Sequence, residues 1–187
     1  MDAEGVILAK PEERSVAGFE KTGAAAKRVV AARAKAASGD SAARNDLFLL
    51  ELEMGLLEFT RAKAQMGSLR LTDDQSKRAK ALLIDAEADS MFKTKLTPEN
   101  RDAINRRFEE MVLSRELPVS SSKRMRVLRV AMASAAAASK ADVAAKIHKA
   151  AQPEIEAIGD AEERKSTSKF FDNALAQAKG EKPPAKK

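Results

Sequence analysis

The chain has 187 residues, enough to bury a hydrophobic core without cross-links, and its 34 basic and 28 acidic residues give a net charge of +6. With no cysteine and a single histidine, His148, the sequence excludes a catalytic thiol, a CxxC redox pair, a cysteine-ligated zinc site and any metal site that needs two histidines. Phenylalanine is the only aromatic residue type, and alanine, lysine, arginine, glutamate and leucine are abundant, a composition that predicts an all-α protein.

Residues 1–14 differ from the rest of the chain and predict a short strand-like arm. Residues 2–5 (Asp-Ala-Glu-Gly) have the composition of a β-turn, and residues 6–8 (Val-Ile-Leu) form an apolar run typical of the second strand of a hairpin. The first strand of such a hairpin is not in the sequence. We therefore expect either an apolar arm docked on the helices or a chain that begins inside a larger domain.

The string MDAEGVILA at residues 1–9, followed by Gly18-Phe19 at the start of a helical pattern, resembles the last β-hairpin and final helix of thioredoxin-like domains. In that family a D-x-x-G-type turn joins the last two strands, and a glycine leads into a helix with a core phenylalanine. The family's CxxC nucleophile and cis-proline loop are absent, and Pro11 lies after the strand, so no catalytic residue is transferred. The resemblance covers about the first 35 residues and implies a truncated thioredoxin-like end fused to a long helical extension. A chance string is the alternative.

Helical periodicity begins at residue 15 and predicts a helical domain over residues 15–178, followed by a disordered Pro/Lys tail over residues 179–187. The first helix is expected to end at Ser38-Gly39, because glycine is a natural C-cap, and Asp40 or Ser41 should cap the second helix. The expected core residues of the first helix are Val16, Phe19, Ala26, Val30, Ala34 and Ala37.

The second predicted helix has apolar residues on two faces, so we expect it to be the central helix of the bundle. Gly55 is either a tight turn or only a weak point, after which the helical pattern continues to Gly67-Ser68. One face of this segment carries Ala43, Leu47, Leu50 and Met54, and the other carries Phe48, Leu52 and Phe59.

Two later segments that are predicted to start helices, residues 71–74 and 96–99, have similar sequences. Threonine at the N-cap, proline at the first helical position and acids in the first turn satisfy the free amides and the helix dipole, so capping explains both; a duplicated unit is the alternative. The expected buried faces are Ala79, Leu82, Leu83, Ala86 and Ser90 after the first start, and Ile104, Phe108, Met111 and Val112 after the second.

The rest of the chain predicts two or three more helices. The serines at 120–122 cap a helix, Lys140-Ala141-Asp142 either interrupts or punctuates it, and the pattern then runs to Gln152-Pro153. The last helix is expected from Glu154. The whole chain is thus expected to form six to eight helices, arranged as a multi-helix bundle or as a short irregular helical-repeat array. The spacing of the helix pairs is tetratricopeptide-like, but the residues of the tetratricopeptide consensus are not present at the required positions. The expected core residues are Met125, Leu128, Met132, Ala135 and Ser139, then Phe170, Phe171, Ala174, Leu175 and Ala178.

The sequence predicts no catalytic residue, no cofactor site and no metal site, and we do not expect an enzyme. Neighbouring acids in a helix point about 100° apart, so we interpret the acid pairs as solvated helix charge. His148 has no nucleophile motif nearby and is expected at the surface or rim. No nucleotide, zinc or calcium motif is present. The acid pairs are Glu12-Glu13, Asp73-Asp74, Glu109-Glu110 and Glu162-Glu163.

Residues 115–149 carry a charge of +6 by themselves and predict a candidate surface for an anion or a nucleic acid. Arg126 and Arg129 share a side of the predicted helix, but no aromatic residue is interleaved with them for base stacking. The alternative is a basic rim that only solubilises the protein or pairs with acids of neighbouring helices. The candidate contacts are Arg115, Lys123, Arg124, Arg126 and Arg129.

Two binding functions follow, a non-catalytic helical protein–protein interaction module, which we prefer, and a basic RNA- or ribosome-associated protein. In the first, six methionines either provide adaptable contacts to another protein or simply fill the core. No apolar run approaches the roughly 20 residues of a membrane span, so a cytoplasmic location is the default, with the periplasm open if an N-terminal segment is missing. The oligomeric state is left open. The methionines are Met54, Met66, Met91, Met111, Met125 and Met132.

Overall fold

A computed structural model of the protein describes residues 16–181, with only the backbone described for residues 16–19 and 21. The predicted N-terminal arm at 1–14, most of the string that resembles a thioredoxin-like end, and the tail beyond residue 181 lie outside the described residues. Those predictions therefore stay predictions.

The described residues form eight α-helices and contain no strand, which confirms the all-α class and the predicted number of helices. Within this range no helix is both long and apolar enough to cross a bilayer. The helices are α1 (Val16–Ala37), α2 (Ser41–Glu53), α3 (Phe59–Met66), α4 (Asp73–Lys93), α5 (Pro98–Leu113), α6 (Ser121–Ala137), α7 (Ala141–Glu156) and α8 (Ala161–Ala178).

The chain divides into two compact units, unit 1 (Met1–Ser90) and unit 2 (Met91–Lys187), and the division falls inside α4. Each unit has its own buried residues and is described by itself. The single helical domain predicted over residues 15–178 stays a prediction.

In unit 1, α2 is buried on two sides, as its two apolar faces predict. On one side, Leu50 packs with Val29 of α1. On the other side, Phe48 and Leu52 belong to a cluster that includes Ala79 of α4. Burial on both faces explains why this helix carries two apolar stripes, since each stripe covers a different neighbour.

Polar contacts fix the helices of unit 1 around α2. Arg33 of α1 donates from Nε and Nη2 to Glu51 Oε1 at 3.0 and 2.8 Å. The buried Asn45 of α2 donates to the backbone carbonyl of Arg70 at 2.8 Å, which holds the segment that leads into α4. These bonds satisfy groups that would otherwise be unpaired in partly buried positions.

The helix boundaries of unit 1 follow the predicted capping chemistry. Gly39 has a φ of +92°, a left-handed conformation that ends α1, and the Asp40 carboxylate accepts from the amides of Ala42 and Ala43 at the start of α2. Gly55 also has a positive φ, of 62°, and the amide of Leu56 donates back to the carbonyl of Glu51 at 2.9 Å. Gly55 is thus a tight turn that ends α2.

In unit 2, α6 packs against α5, α7 and α8, and it supplies much of the core. Threonine caps the start of α5 and Pro98 is its first residue, as predicted. All four helices contribute fully buried side chains: Phe108, Met111, Leu128, Met132, Ile147 and Phe171.

Six predicted core positions are exposed: Val30, Ala34, Ala37, Ser90, Ser139 and Phe170. In α1, Val29 is fully buried whereas Val30 is 50% exposed. In α8, Phe171 is fully buried and Phe170 is 37% exposed. Adjacent apolar residues lie about 100° apart on a helix, so only one of each pair faces the neighbour, and sequence periodicity does not decide which. Ser139, predicted in the core, is exposed in the turn after α6.

The predicted boundary between the last two helices is also wrong. Helix α7 continues through Pro153 to Glu156, because Ile155 lies on the same face as Ile147 and Ala151 and is buried with them. Packing of that face holds the last turn despite the missing proline amide. Asp160, not a residue near Glu154, caps α8 by accepting from the amide of Glu163 at 2.7 Å.

Candidate functional site

Four of the five predicted cations lie in the first half of α6, and Arg115 lies in the exposed turn after α5 with a φ of 62°. Lys123 is half-buried, whereas Arg126 and Arg129 are exposed. The structure therefore brings Arg126 and Arg129 to one side of a helix, as predicted.

Arg124 has a structural role within unit 2. Its Nε donates to Glu154 Oε1 at 2.7 Å, and its Nη1 donates to the backbone carbonyls of Pro118 and Val119 at 3.0 and 3.2 Å. The side chain joins the start of α6 to the last turn of α7 and to the segment before α6. Three hydrogen bonds and partial burial leave this guanidinium occupied, so it fits the alternative of a cation that pairs with an acid of a neighbouring helix.

Arg126 stacks on an aromatic ring that sequence spacing does not place beside it. Its guanidinium carbon lies 3.9 Å from the ring centroid of Phe92, and Phe92 in turn stacks on Phe108 with 4.9 Å between centroids and 22° between planes. A guanidinium over a ring face gains cation–π attraction. Within the described residues Arg126 makes no hydrogen bond or ion pair, and the residue is exposed.

Arg129 reaches in the direction of α8. Its Nη2 donates to the hydroxyl of the buried Thr167 at 2.7 Å, and its guanidinium carbon lies 5.9 Å from the ring centroid of Phe170. Phe170 itself packs edge-on against Phe171 and keeps 37% of its surface exposed. Phenylalanine rings therefore flank Arg126 and Arg129, although none is close to them in sequence.

Unit 1 contains a groove of about 520 Å³. One side of the groove is a face of α1 and the other is a face of α2, each made of residues three or four positions apart. Arg78 of α4 also lines the groove. The apolar lining is aliphatic, from alanine and leucine side chains, and this volume is within the range of about 300–1,000 Å³ that is common for ligand sites. The apolar lining residues are Ala31, Ala32, Ala42, Ala43, Leu49 and Leu50.

The charges around the groove are divided between its sides. The α1 side carries Arg28 and Lys35, and the α2 side carries Asp46 and Glu53. Arg78 Nη2 lies 2.7 Å from Glu53 Oε2, so this ion pair neutralises part of the acidic side. The groove thus has an aliphatic floor between a basic side and an acidic side.

No predicted methionine lines this groove. Met111 and Met132 are fully buried, and Met54 and Met66 pack against the apolar clusters of unit 1. Met91 and Met125 are half-buried. Met54, Met66, Met111 and Met132 therefore pack in the interior of the two units, whereas a partner contact for the methionines stays a prediction.

One predicted solvated acid is buried. Glu109 is 5% exposed, and its two carboxylate oxygens accept from Ser134 Oγ at 2.7 Å and from Lys140 Nζ at 2.8 Å. The interpretation of Glu109-Glu110 as solvated helix charge is therefore wrong for Glu109, because α5 turns this residue to the start of α7. Sequence offers one signal for the pair, since Lys140 is the only cation between residues 130 and 145.

His148 lies at the rim of unit 2, as predicted. Its Nε2 is 2.8 Å from Asp172 Oδ1, and Ser168 Oγ donates to Asp172 Oδ2 at 3.3 Å. The carboxylate, not the imidazole, is central in this chain of contacts, so the arrangement is not that of a nucleophile activated by a histidine base.

Across residues 16–181 no three histidine or acidic side chains are grouped so that they could hold a metal ion. No family model, no curated protein and no solved structure matches this chain. The groove of unit 1 and the arginine and phenylalanine side chains around α6 are thus the two candidate binding surfaces.

Proposed function

We propose that this chain is a non-catalytic helical module that binds another protein, and that the groove of unit 1 receives an amphipathic helix of that partner. The groove itself supports the proposal most strongly, because an aliphatic floor between two helices is the kind of surface that accepts the apolar face of a third helix. The exposed Ala31 and Ala42 at its edges leave room for partner side chains.

The length of the groove limits the contact. The lining residues of α1 run from Arg28 to Lys35 and those of α2 from Ala42 to Glu53. At a rise of about 1.5 Å per residue these faces are about 10 and 16 Å long, which corresponds to two or three turns of a partner helix. We expect the partner to present apolar residues at i, i+4 and i+7 over about 8–11 residues.

The charges predict the orientation of that helix. Acidic side chains of the partner should face Arg28 and Lys35, and a basic side chain should face Asp46, which keeps a free carboxylate oxygen beside its 3.3 Å contact with Gln75. Rim charges of this kind mainly affect the rate of association and the choice of partner, while the apolar floor holds the bound helix.

The proposal is tested in two steps. A photo-crosslinking amino acid at Ala31 is used to find the partner in native cells, with the same amino acid at Ala34, an exposed residue of α1 outside the groove, as the matched control. The partner helix is then synthesised, and its affinity is measured by calorimetry for the wild-type chain, Ala31→Arg and Ala34→Arg.

We expect Ala31→Arg to weaken binding about tenfold or more, because its side chain fills the groove, and Ala34→Arg to change it less than about twofold. Equal effects of the two variants, or equal crosslinking from the two positions, would contradict the proposed binding surface.

The resemblance of residues 1–35 supports a further part of this proposal, that the helices are the C-terminal extension of a thioredoxin-like protein without its redox site. The test is the sequence of the transcript upstream of the Met1 codon. An in-frame CxxC followed by a proline loop is the expected result, and a stop codon directly upstream would contradict it.

A further inference from the structure

We propose that unit 2 binds single-stranded nucleic acid through the arginine–phenylalanine surface, which consists of Arg126, Arg129, Phe92 and Phe170. All four residues lie in unit 2, whereas the groove lies in unit 1, so the two proposals rest on separate observations.

Arg126 can make two kinds of contact at once. Its inner face is fixed on Phe92, 3.9 Å from the ring centroid, and the stack continues to Phe108 in the core. The opposite face of the guanidinium is a flat surface on which a base can stack, and the N–H groups at its edge can donate to a phosphate. Because Phe92 and Phe108 hold the side chain in position, little rotamer freedom is lost on binding.

Arg129 and Phe170 supply a second contact of the same type. One guanidinium nitrogen of Arg129 is used by Thr167, and the other donors are available for a phosphate. Phe170 keeps 37% of its surface exposed beside them, and we expect its ring to be the surface on which a base stacks. Residues three apart on a helix have Cβ atoms about 5–6 Å apart, so Arg126 and Arg129 can contact neighbouring nucleotides.

The combination of contacts selects the class of ligand. An acidic peptide would use only the edges of the two guanidinium groups, and a duplex would hide its base faces inside the helical stack. Single-stranded nucleic acid offers both an anionic backbone and exposed base faces, which match the charge and the flat surfaces together. Residues 91–181 also contain 17 lysines and arginines against 13 acids, which favours approach of a polyanion.

The test uses the full chain and a fluorescent single-stranded RNA of about twelve nucleotides, with binding followed by fluorescence polarisation at about 50 and about 200 mM salt. Arg126→Lys keeps the charge and removes the flat stacking surface, and Phe170→Leu keeps the apolar volume and removes the π-face. Arg106→Lys, at an exposed arginine of α5, is the matched control. A duplex of the same sequence and poly-glutamate serve as competitors.

We expect binding at the lower salt concentration, a loss of about fivefold or more in affinity for Arg126→Lys and for Phe170→Leu, and a change below about twofold for Arg106→Lys. The slope of affinity against salt should be unchanged in Arg126→Lys, because the number of charges is the same. Unlabelled single strands, DNA or RNA, should displace the probe better than the duplex or poly-glutamate does.

Three results would overturn the inference. These are an absence of binding at about 50 mM salt, an affinity of Arg126→Lys equal to that of the wild-type chain, and displacement by poly-glutamate as effective as displacement by single strands. The second result would leave only a non-specific charge interaction, and the third would indicate an acidic protein as the partner. Circular dichroism of each variant confirms that its helix content is retained.

Discussion

The buried carboxylate of Glu109 provides the sharpest test of unit 2. The two substitutions that probe it are Glu109→Gln, which keeps the shape and removes the charge, and Lys140→Met, which keeps the aliphatic stem and removes the partner. An amide cannot accept on both of its ends, so in Glu109→Gln either the 2.7 Å bond from Ser134 or the 2.8 Å contact with Lys140 loses its acceptor.

The expected magnitude follows from the burial of the two partners. Hydrogen bonds to charged groups contribute about 1.5–3 kcal/mol, and the Lys140 side chain is 43% exposed, so water screens its part of the network. We therefore expect Glu109→Gln to lower the free energy of unfolding by about 2 kcal/mol and Lys140→Met by about 1 kcal/mol. Because the residues share one contact, the double variant should lose about 1 kcal/mol less than the sum of the two single losses.

The measurement is urea unfolding followed by far-ultraviolet circular dichroism, with hydrogen exchange of peptides from α5 to α7 to assign the change to unit 2. Glu110→Gln is the matched control, because this neighbouring glutamate is 54% exposed and lies 3.7 Å from Arg107, an ion pair worth less than about 0.5 kcal/mol. A loss in Glu109→Gln no larger than that in Glu110→Gln would refute the assignment of Glu109 as a buried structural acid.

Three further predictions concern other parts of the fold. Phe48→Ala should lower the free energy of unfolding of unit 1 by about 3–5 kcal/mol, because Phe48 is fully buried. Val30→Ala, at a half-exposed position, should lower it by less than about 0.5 kcal/mol in the same thermal or urea assay. Similar losses in the two variants would contradict the described core. The pKa of Glu99 lies below its usual 4.5, first because of a hydrogen bond with the Thr97 side chain and second because of a hydrogen bond with its own backbone amide. The ionised carboxylate therefore stabilises the fold above about pH 4.5, and this contribution is lost as the pH falls through the lowered pKa. Thr97→Val should move that pKa upward in an NMR titration, and an unchanged value would rule out the hydroxyl as its main cause. Ser139→Gly should raise the melting temperature, because Ser139 has a φ of +52° and glycine relieves about 0.5–1 kcal/mol of strain there; a lower melting temperature would argue against that backbone conformation.

The fold could be predicted from the sequence to the extent that local chemistry determined it. Gly39, Asp40 and Thr97 mark helix ends because a left-handed turn or a side-chain acceptor is needed at those points, and the structure has the ends there. The end of α7 was mispredicted, because a proline usually stops a helix and only the tertiary burial of Ile155 keeps the last turn. Local rules thus fail where packing from a distant helix decides the outcome.

The candidate binding surfaces were only partly predictable for the same reason. The cluster of cations at the start of α6 is visible in the sequence, but its aromatic partners come from α8 and from the end of α4. Arg124 and Arg126 are also two residues apart in one helix, yet one is bound by Glu154 and the other stacks on Phe92. No periodicity distinguishes them, because the difference depends on which neighbouring helix each side chain reaches.

The position of α2 between two apolar clusters determines the order in which the helices of unit 1 unfold. Among the described residues, α1 contributes Val29 to the smaller cluster and Arg33 to an ion pair with Glu51, whereas α2 contributes buried residues to both clusters. We therefore expect α1 to open at a lower free-energy cost than α2. Amide protons of α1 should therefore exchange first, and proteases should cut there before they reach the rest of the unit. Loss of α1 would uncover Leu50 and Met54, so we expect a fragment without α1 to expose apolar surface and to aggregate more readily than the whole chain.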